Sequence, residues 1–373
     1  MNCKHFSKCG SCNLYNITYK EALRYKEKSL KKLLSKFYSG EFDIFNSPLS
    51  AHRARAEFKI WHKGDRCYYA MTNLDKNGVE LLDECPKVIE PIQRVYLKLL
   101  ESINSSNRLK GKLFSIEFLA GLSGEVLVTL IYHKKLDEIW EAEALKLQEE
   151  LNISVIGRSR KQKVVLGRDY IVEKLNINNK EYSYKYFEGG FTQPNPYINK
   201  NMIEWAIGNV KENGGDFLEA YCGLGNFTLP LSQYFNKVLA TEISSTSIKA
   251  AKENCKLNGI ENIEFIRLNA QETAEALKRE REFRRLRDID LNSYNFSTIL
   301  VDPPRAGLDE ASLELVKSFD NILYISCNPD TLARDLEELT KTHKAEKAAL
   351  FDQFPYTHHI ESGVYLKRKI VGA

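Results

Sequence analysis

The chain has 373 residues, 43% hydrophobic and 28% charged, a balance that supports more than one packed core and excludes a disordered or fibrous chain. Its formal net charge is +4, which permits a nucleic-acid partner without demanding one. No apolar run approaches the ~20 residues needed to span a bilayer, and the start "MNCKHFSKCGSCN" lacks a signal-peptide core, so a soluble cytoplasmic protein is expected. In that compartment eight cysteines point to metal or catalytic roles rather than disulfides.

Residues 1–47 open with Cys3, Cys9 and Cys12 in a C-x5-C-x2-C spacing. Cys85, in "DECPKV", is a fourth candidate ligand. Four thiolates of this kind fit an iron–sulfur cluster, with zinc as the second choice, against three unligated thiols at a chain end. Cys67 and Cys255 read as spare cysteines, and Cys222 as a residue chosen for size. A charged pattern follows, "TYKEALRYKEKSLKKLLSKFY", whose Leu23, Leu30, Leu33 and Leu34 predict an amphipathic helix.

Residues 48–185 carry alternating and β-branched runs: "AEFKIWHK", "LFSIEFLAG", "EVLVTLIYHK", "ISVIGRS" and "KVVLGRDYIVE". They predict a mostly antiparallel β domain with one helix around "KLDEIWEAEALKLQEEL". Within it Arg158, Arg160, Lys161 and Lys163, and later the basic run at 279–287, are candidate RNA-phosphate contacts or simply solvated faces.

From about residue 186 short apolar strands alternate with helices: "DFLEAY", "KVLATE", "IEFIRL", "STILVD" and "NILYIS". This predicts an α/β doubly wound parallel sheet over 186–373. After the first of these strands comes "CGLGNF", where Gly223 and Gly225 let backbone approach a ligand. A dinucleotide fingerprint would place a third glycine at 228, and Thr228 stands there. Glu242 ends the next strand, where an acid can accept from ribose hydroxyls. The pair reads as an adenosine pocket without strong phosphate binding, which suits S-adenosylmethionine.

Asp302 ends "STILVD" and is followed by Pro303 and Pro304, which stiffen the loop. Arg305 occupies a place where an aromatic would otherwise stack on a base, and Asp302 can accept from uracil N3–H. Cys327 sits between a strand and a helix capped by Asn328 with Pro329 in its first turn. The positive end of that helix is expected to lower the thiol pKa and favour a nucleophile, against the plainer reading of a buried small residue. Glu361 opens the last strand and alone would pass for an exposed acid. Together the three suit methylation at carbon 5 of uracil: a thiolate adds to carbon 6, carbon 5 takes the methyl group, and a carboxylate removes the carbon-5 proton.

The motifs "FTQPNPYIN" (191–199), "YCGLGNF" (221–227), "ATEI" (240–243), "VDPPRAGLD" (301–309), "YISCNP" (324–329) and "FPYTHHIES" (354–362) resemble those of the RNA 5-methyluridine methyltransferases over nearly the whole chain. "RAEFKIWHKGD" (55–65), "REFRRLRDIDLNSY" (281–294) and "ALFDQFPYTHH" (349–359) are similar to the tRNA (uracil-5-)-methyltransferase branch. The resemblance implies a Rossmann-like class I methyltransferase domain at the C-terminus. It places cofactor contacts on Gln193, Tyr221, Asn226, Glu242 and Asp302, the nucleophile on Cys327 and the base on Glu361. It implies tRNA, at the T-arm, as partner, with rRNA or tmRNA as further candidates, and a target base flipped from its stack. It also implies that the helix within 18–46 packs on the methyltransferase domain. The cysteine leader instead resembles the rRNA branches, which carry a [4Fe-4S] cluster. Two rivals follow: the same chemistry on 23S rRNA, and a non-catalytic iron–sulfur RNA-binding protein.

Overall fold

The computed structural model describes residues 1–370. Helix α1 (Tyr19–Leu34) starts at a Thr18 capping box closed by Glu21 and buries Ala22, Leu30 and Leu34. Its buried stripe also contains Lys26. Strand β1 (Phe42–Phe45) follows, then β2 (Arg55–Lys63), β3 (Arg66–Thr72) and β4 (Val79–Leu82). Helix α2 (Glu90–Ser105) and a short α3 (Asn107–Lys110) lead to β5 (Leu113–Ala120), β6 (Val126–Tyr132), α4 (Glu138–Leu151), β7 (Ser154–Ser159) and β8 (Gln162–Leu166). A hairpin, β9 (Tyr170–Ile177) and β10 (Lys180–Phe187), precedes α5 (Pro196–Val210). The remaining elements are β11 (Asp216–Ala220), α6 (Thr228–Leu231), β12 (Val238–Thr241), α7 (Ser245–Asn258), β13 (Ile263–Ile266), α8 (Ala270–Leu277), β14 (Phe296–Val301), α9 (Glu310–Lys317), β15 (Asn321–Ser326), α10 (Pro329–Thr342), β16 (His343–Phe351) and β17 (Glu361–Arg368).

Seven strands form one sheet in the order β4-β3-β2-β5-β6-β7-β8. All its pairs are antiparallel except β6 with β7, which α4 joins by a crossover. The expectation of one helix here was incomplete. Helix α2 also lies on this sheet, with Ile92, Val95, Tyr96, Leu99 and Ile103 buried at helical spacing. The core centres on Phe58, Tyr69, Tyr96 and Phe118, with Tyr69 and Tyr96 stacked at 4.1 Å.

Eight strands form the second sheet, β1-β16-β17-β15-β14-β11-β12-β13. The five from β13 to β15 run parallel, and β17 lies antiparallel between β15 and β16. Both faces are covered. Along β11, Phe217 faces one core and Leu218 the other, as a two-residue repeat requires. The chain runs from β11 outward to β12 and β13, then crosses back to β14 on the other side of β11, and the crevice at the carboxyl ends of strands at such a switch point is where a ligand sits.

The chain's first third divides unevenly between the sheets. Strand β1 pairs in parallel with β16, and α1 packs against α10. The cysteine leader instead runs over the seven-stranded sheet, bridging Cys9 to Asn73. The β9–β10 hairpin lies against α5 and α7. None of the helices among the described residues is long and apolar enough to cross a membrane.

Candidate active site

Four carboxyl ends converge at the crevice. Tyr221 follows β11 in a left-handed conformation (φ 64°), and its hydroxyl meets Ser312 Oγ at 3.1 Å. A tyrosine held there costs on the order of 1–3 kcal/mol, so surrounding structure must enforce it. Gly223 also has positive φ (56°), and a Cβ added to it would meet no atom within 4 Å, leaving room for a ligand against the backbone. Gly225 is different, because a Cβ there would lie 2.4 Å from Leu229.

Glu242 follows β12. Its Oε2 accepts from Gly223 N (3.2 Å) and its Oε1 from Ser244 N (2.8 Å), which orients the carboxylate and leaves each oxygen a free lone pair. Asn226 and Asn199 exchange side-chain hydrogen bonds at 2.8 Å, so the Asn226 amide is engaged within the protein. Gln193 donates to Asp302 Oδ2 at 3.5 Å and accepts from Gln353 Nε2 at 2.9 Å.

The loop after β14 is stapled to α10. Asn328 donates to the Arg305 carbonyl (2.9 Å), and Arg334 donates to the Ala306 and Leu308 carbonyls (3.0 and 2.9 Å). Asp335, wholly buried, accepts from Leu308 N (2.9 Å) and the Tyr324 hydroxyl (2.6 Å). Gly307 must be glycine here: its φ is 76°, and a Cβ would press on Arg334 and Asp335. These bonds fix Arg305 beside Cys327, where its positive charge favours the thiolate.

Cys327 follows β15, and Asn328 caps α10 as the sequence suggested, accepting from Asp330 N. In the β15–β17 ladder Ser326 pairs with Ser362. One residue further, the same register sets Cys327 opposite Glu361 at the adjoining strand ends. Glu361 is buried (3% exposed), not an exposed edge acid.

The electrostatics correct one expectation. Burial raises the Cys327 thiol pKa, the Glu361 and Asp302 charges raise it further, and only Arg305 opposes them. The helix N-terminus therefore does not leave a thiolate waiting. Burial also pushes Glu361 well above the carboxylate range, with Asp302 adding to the effect. Asp302 is partly exposed as a residue, yet its carboxyl is enclosed and pushed up to about 7. Beneath them Glu219 is buried, held by Thr228 Oγ1 at 2.6 Å and pushed up to about 8 by burial and by Asp302 and Glu242. The sequence reading missed Glu219, Arg334, Asp335 and Gln353, whose roles arise from partners distant in the chain.

A crevice bordered by the carboxyl groups of Glu219, Glu242 and Asp302 suits a positively charged ligand. The residues present thus fit S-adenosylmethionine, whose sulfonium is a cation and whose ribose hydroxyls can donate to Glu242. A cleft of about 680 Å³ opens over Cys327, lined by Arg305, Asn328, His358, His359 and the Ser29–Leu33 face of α1.

A family model described as tRNA (uracil-5-)-methyltransferase matches residues 18–369. The chain belongs to the tRNA (uracil-5-)-methyltransferase family. It is 60% identical to a Sulfurovum protein named tRNA/tmRNA (uracil-C(5))-methyltransferase, covering 99% of this chain and all of that protein. A Neisseria meningitidis protein of the same name is 51% identical over 95% of this chain and 99% of its own. Among solved structures, a Pyrococcus abyssi tRNA (uracil-54, C5)-methyltransferase in complex with S-adenosyl-L-homocysteine superposes with a TM-score of 0.73. It covers 95% of this chain and 85% of its own at 23% identity, a likeness of fold.

Away from the crevice this family member places Cys3, Cys9, Cys12 and Cys85 around one small cavity, with His5 and Glu84 beside them. Among the described residues no three His, Cys, Asp or Glu side chains stand so as to hold a metal ion. The iron–sulfur or zinc expectation therefore gains no support from the geometry: the thiols share a cavity without forming a closed ligand set. All eight cysteines are free, and Cys67, Cys222 and Cys255 are buried. Of the candidate phosphate contacts, Arg158 is held by Glu188 and Lys163 by Asp169 and Glu188. Arg160 and Lys161 remain at the exposed turn.

Proposed function

We infer that the chain methylates carbon 5 of a uridine in tRNA with S-adenosylmethionine as donor, and that the target lies in the T-loop. The pairing of Cys327 with Glu361 across two strand ends, beside Asp302, carries the reading. S-adenosylmethionine supplies the electrophilic methyl group when bound. The Cys327 thiol gives its proton to solvent in the open cleft, and its sulfur bonds to uracil carbon 6 as the 5,6 π electrons move onto carbon 5. Carbon 5 would take the methyl group as its bond to the sulfonium sulfur breaks, leaving neutral S-adenosylhomocysteine. Glu361 then removes the carbon-5 proton, and the carbon 6–sulfur bond breaks to restore the thiolate and the 5,6 double bond. Arg305 stabilises that thiolate on entry and departure. Asp302, steadied by Gln193, orients the base edge, and Gln193, Tyr221, Asn226 and Glu242 shape the cofactor pocket.

The reading is tested by transfer of labelled methyl to an unmodified tRNA transcript. Label is expected on wild-type tRNA and not on a transcript with the T-loop uridine changed to cytidine. Label that persists in the control would move the target elsewhere. The relatives' names support tmRNA as a second substrate.

We also propose that the leader binds a metal through Cys3, Cys9, Cys12 and Cys85, as an iron–sulfur cluster or zinc; the C-x5-C-x2-C spacing supports it, and the four thiols, which share a cavity without forming a ligand set, would have to rearrange on binding. Such a leader favours an activity on 23S rRNA as the second reading, so an rRNA fragment belongs in the same assay. Protein purified anaerobically is expected to carry metal that is lost in Cys9→Ser. Metal-free protein with eight titratable thiols would refute the assignment.

A further inference from the structure

Beside the reaction cleft lies a second cavity, of about 380 Å³, between the leader, the segment opening β2 and the loop joining β16 to β17. Arg305 and His359 line both cavities, so the two adjoin. Its walls are unevenly charged. Lys87 is only 5% exposed, and its ammonium donates to the Ser11 carbonyl and hydroxyl, both at 3.0 Å. Among the described residues no carboxylate pairs with Lys87, Arg53 or Arg305, whereas Arg55, two residues beyond Arg53, lies 3.8 Å from Glu117. Glu57 is the one carboxylate lining the cavity, and its side chain is exposed. His52 and Gln353, each 2% exposed, line it too, and His52 Nδ1 and Gln353 Oε1 have no partner. His52 adds no positive charge, because burial and then Lys87 and Arg53 push its pKa down to about 3.

A buried ammonium without a carboxylate is costly, so a site that keeps one beside two unpaired guanidinium groups is built for an anion. We propose that this cavity binds a backbone phosphate of the RNA strand adjoining the target uridine, through Arg53 and Lys87, with Arg305 shared between phosphate and nucleophile. The proposal rests on the uridine-methylation reading, since a base seated at Cys327 sends its own backbone through the junction at Arg305 and His359. The cavity would then fix register on the strand without reading its sequence. The β7–β8 turn, whose Arg158 and Lys163 are already paired, is the less suited surface.

The test uses Arg53→Gln, with Arg53→Lys as the conservative variant. Binding of an unmodified T-arm RNA is measured without cofactor across a salt series, beside steady-state methylation. Arg53→Gln is expected to reduce the salt slope by about one and to raise KM for RNA about tenfold. The loss should fall on KM rather than kcat, and Arg53→Lys should recover part of it. An unchanged salt slope with normal KM would overturn the proposal. So would a variant that keeps its slope but loses metal, since Arg53 would then serve the cysteine cavity. RNA binding with the expected slope change, but no methylation by the wild-type protein, would sink the catalytic reading and leave the phosphate site standing.

Discussion

Cys327→Ala is expected to abolish methyl transfer, and Glu361→Gln to trap RNA on the protein. The two differ because they fail at different steps. Carbon 5 of a uracil is too weakly nucleophilic to take a methyl group unaided, so without the Cys327 sulfur the reaction does not begin. Glu361 acts after methyl transfer. In Glu361→Gln the methylated adduct has no proton acceptor beside carbon 5, so it should accumulate while steady turnover falls by about 10²–10⁴-fold. Because Glu361 acts only after methyl transfer, adduct formation should be as fast as in the wild type. A band of protein with RNA that survives denaturation, present with cofactor in Glu361→Gln and absent in Cys327→Ala, is the readout. Rapid release from Glu361→Gln would remove Glu361 from the base role. The pH dependence has a definite sign. Asp302, pushed up to about 7, and Glu361, raised well above the carboxylate range, are neutral at low pH, and both the base and the nucleophile work only deprotonated. Activity should therefore rise as pH increases through neutrality. An activity that falls over that interval would contradict the assignment.

The α/β half was legible because its signals are local. Each of "DFLEAY", "KVLATE", "STILVD" and "NILYIS" is a short apolar run that leads directly to a residue facing the ligand, and β11, β12, β14 and β15 fall on them. Helix α2 was passed over although its apolar spacing is regular, because the surrounding runs favoured strands. Lys26 could not be read at all. A lysine on an amphipathic stripe looks like solvent-facing charge until the partner that accepts it is seen, and that partner lies 326 positions away. The acidity of Cys327 failed for a related reason. The helix terminus is a neighbour in sequence, whereas burial and the carboxyl groups of Asp302 and Glu361 come from other strands and prevail.

Lys26→Met is expected to destabilise the protein by about 3–5 kcal/mol, because it leaves a buried carboxylate unpaired. Lys26 Nζ lies 2.7 Å from Asp352 Oδ1 and 2.8 Å from the Phe354 carbonyl, and both charged side chains are almost wholly enclosed. Burial lowers the Lys26 pKa while Asp352 raises it, so the ammonium depends on its partner to stay charged. The pair ties α1 to the start of the 352–360 loop. The next residue, Gln353, donates to Gln193, which in turn donates to Asp302, and the loop's far end is Glu361. Further along, Leu14 donates to the Tyr356 carbonyl and Asn13 accepts from His358 N, so the leader grips the same loop. Loosening it should therefore lower kcat as well as stability. Lys26→Met combined with Asp352→Leu separates the two effects. Replacing the whole pair by apolar side chains should recover most of the stability, since no charge is left buried. If the loop is held in register by the pair itself, kcat stays low in the double variant. Urea midpoints and single-turnover methylation measure the two quantities, and a single-variant cost below about 1 kcal/mol, the range of an exposed pair, would show that the bridge does not anchor the loop.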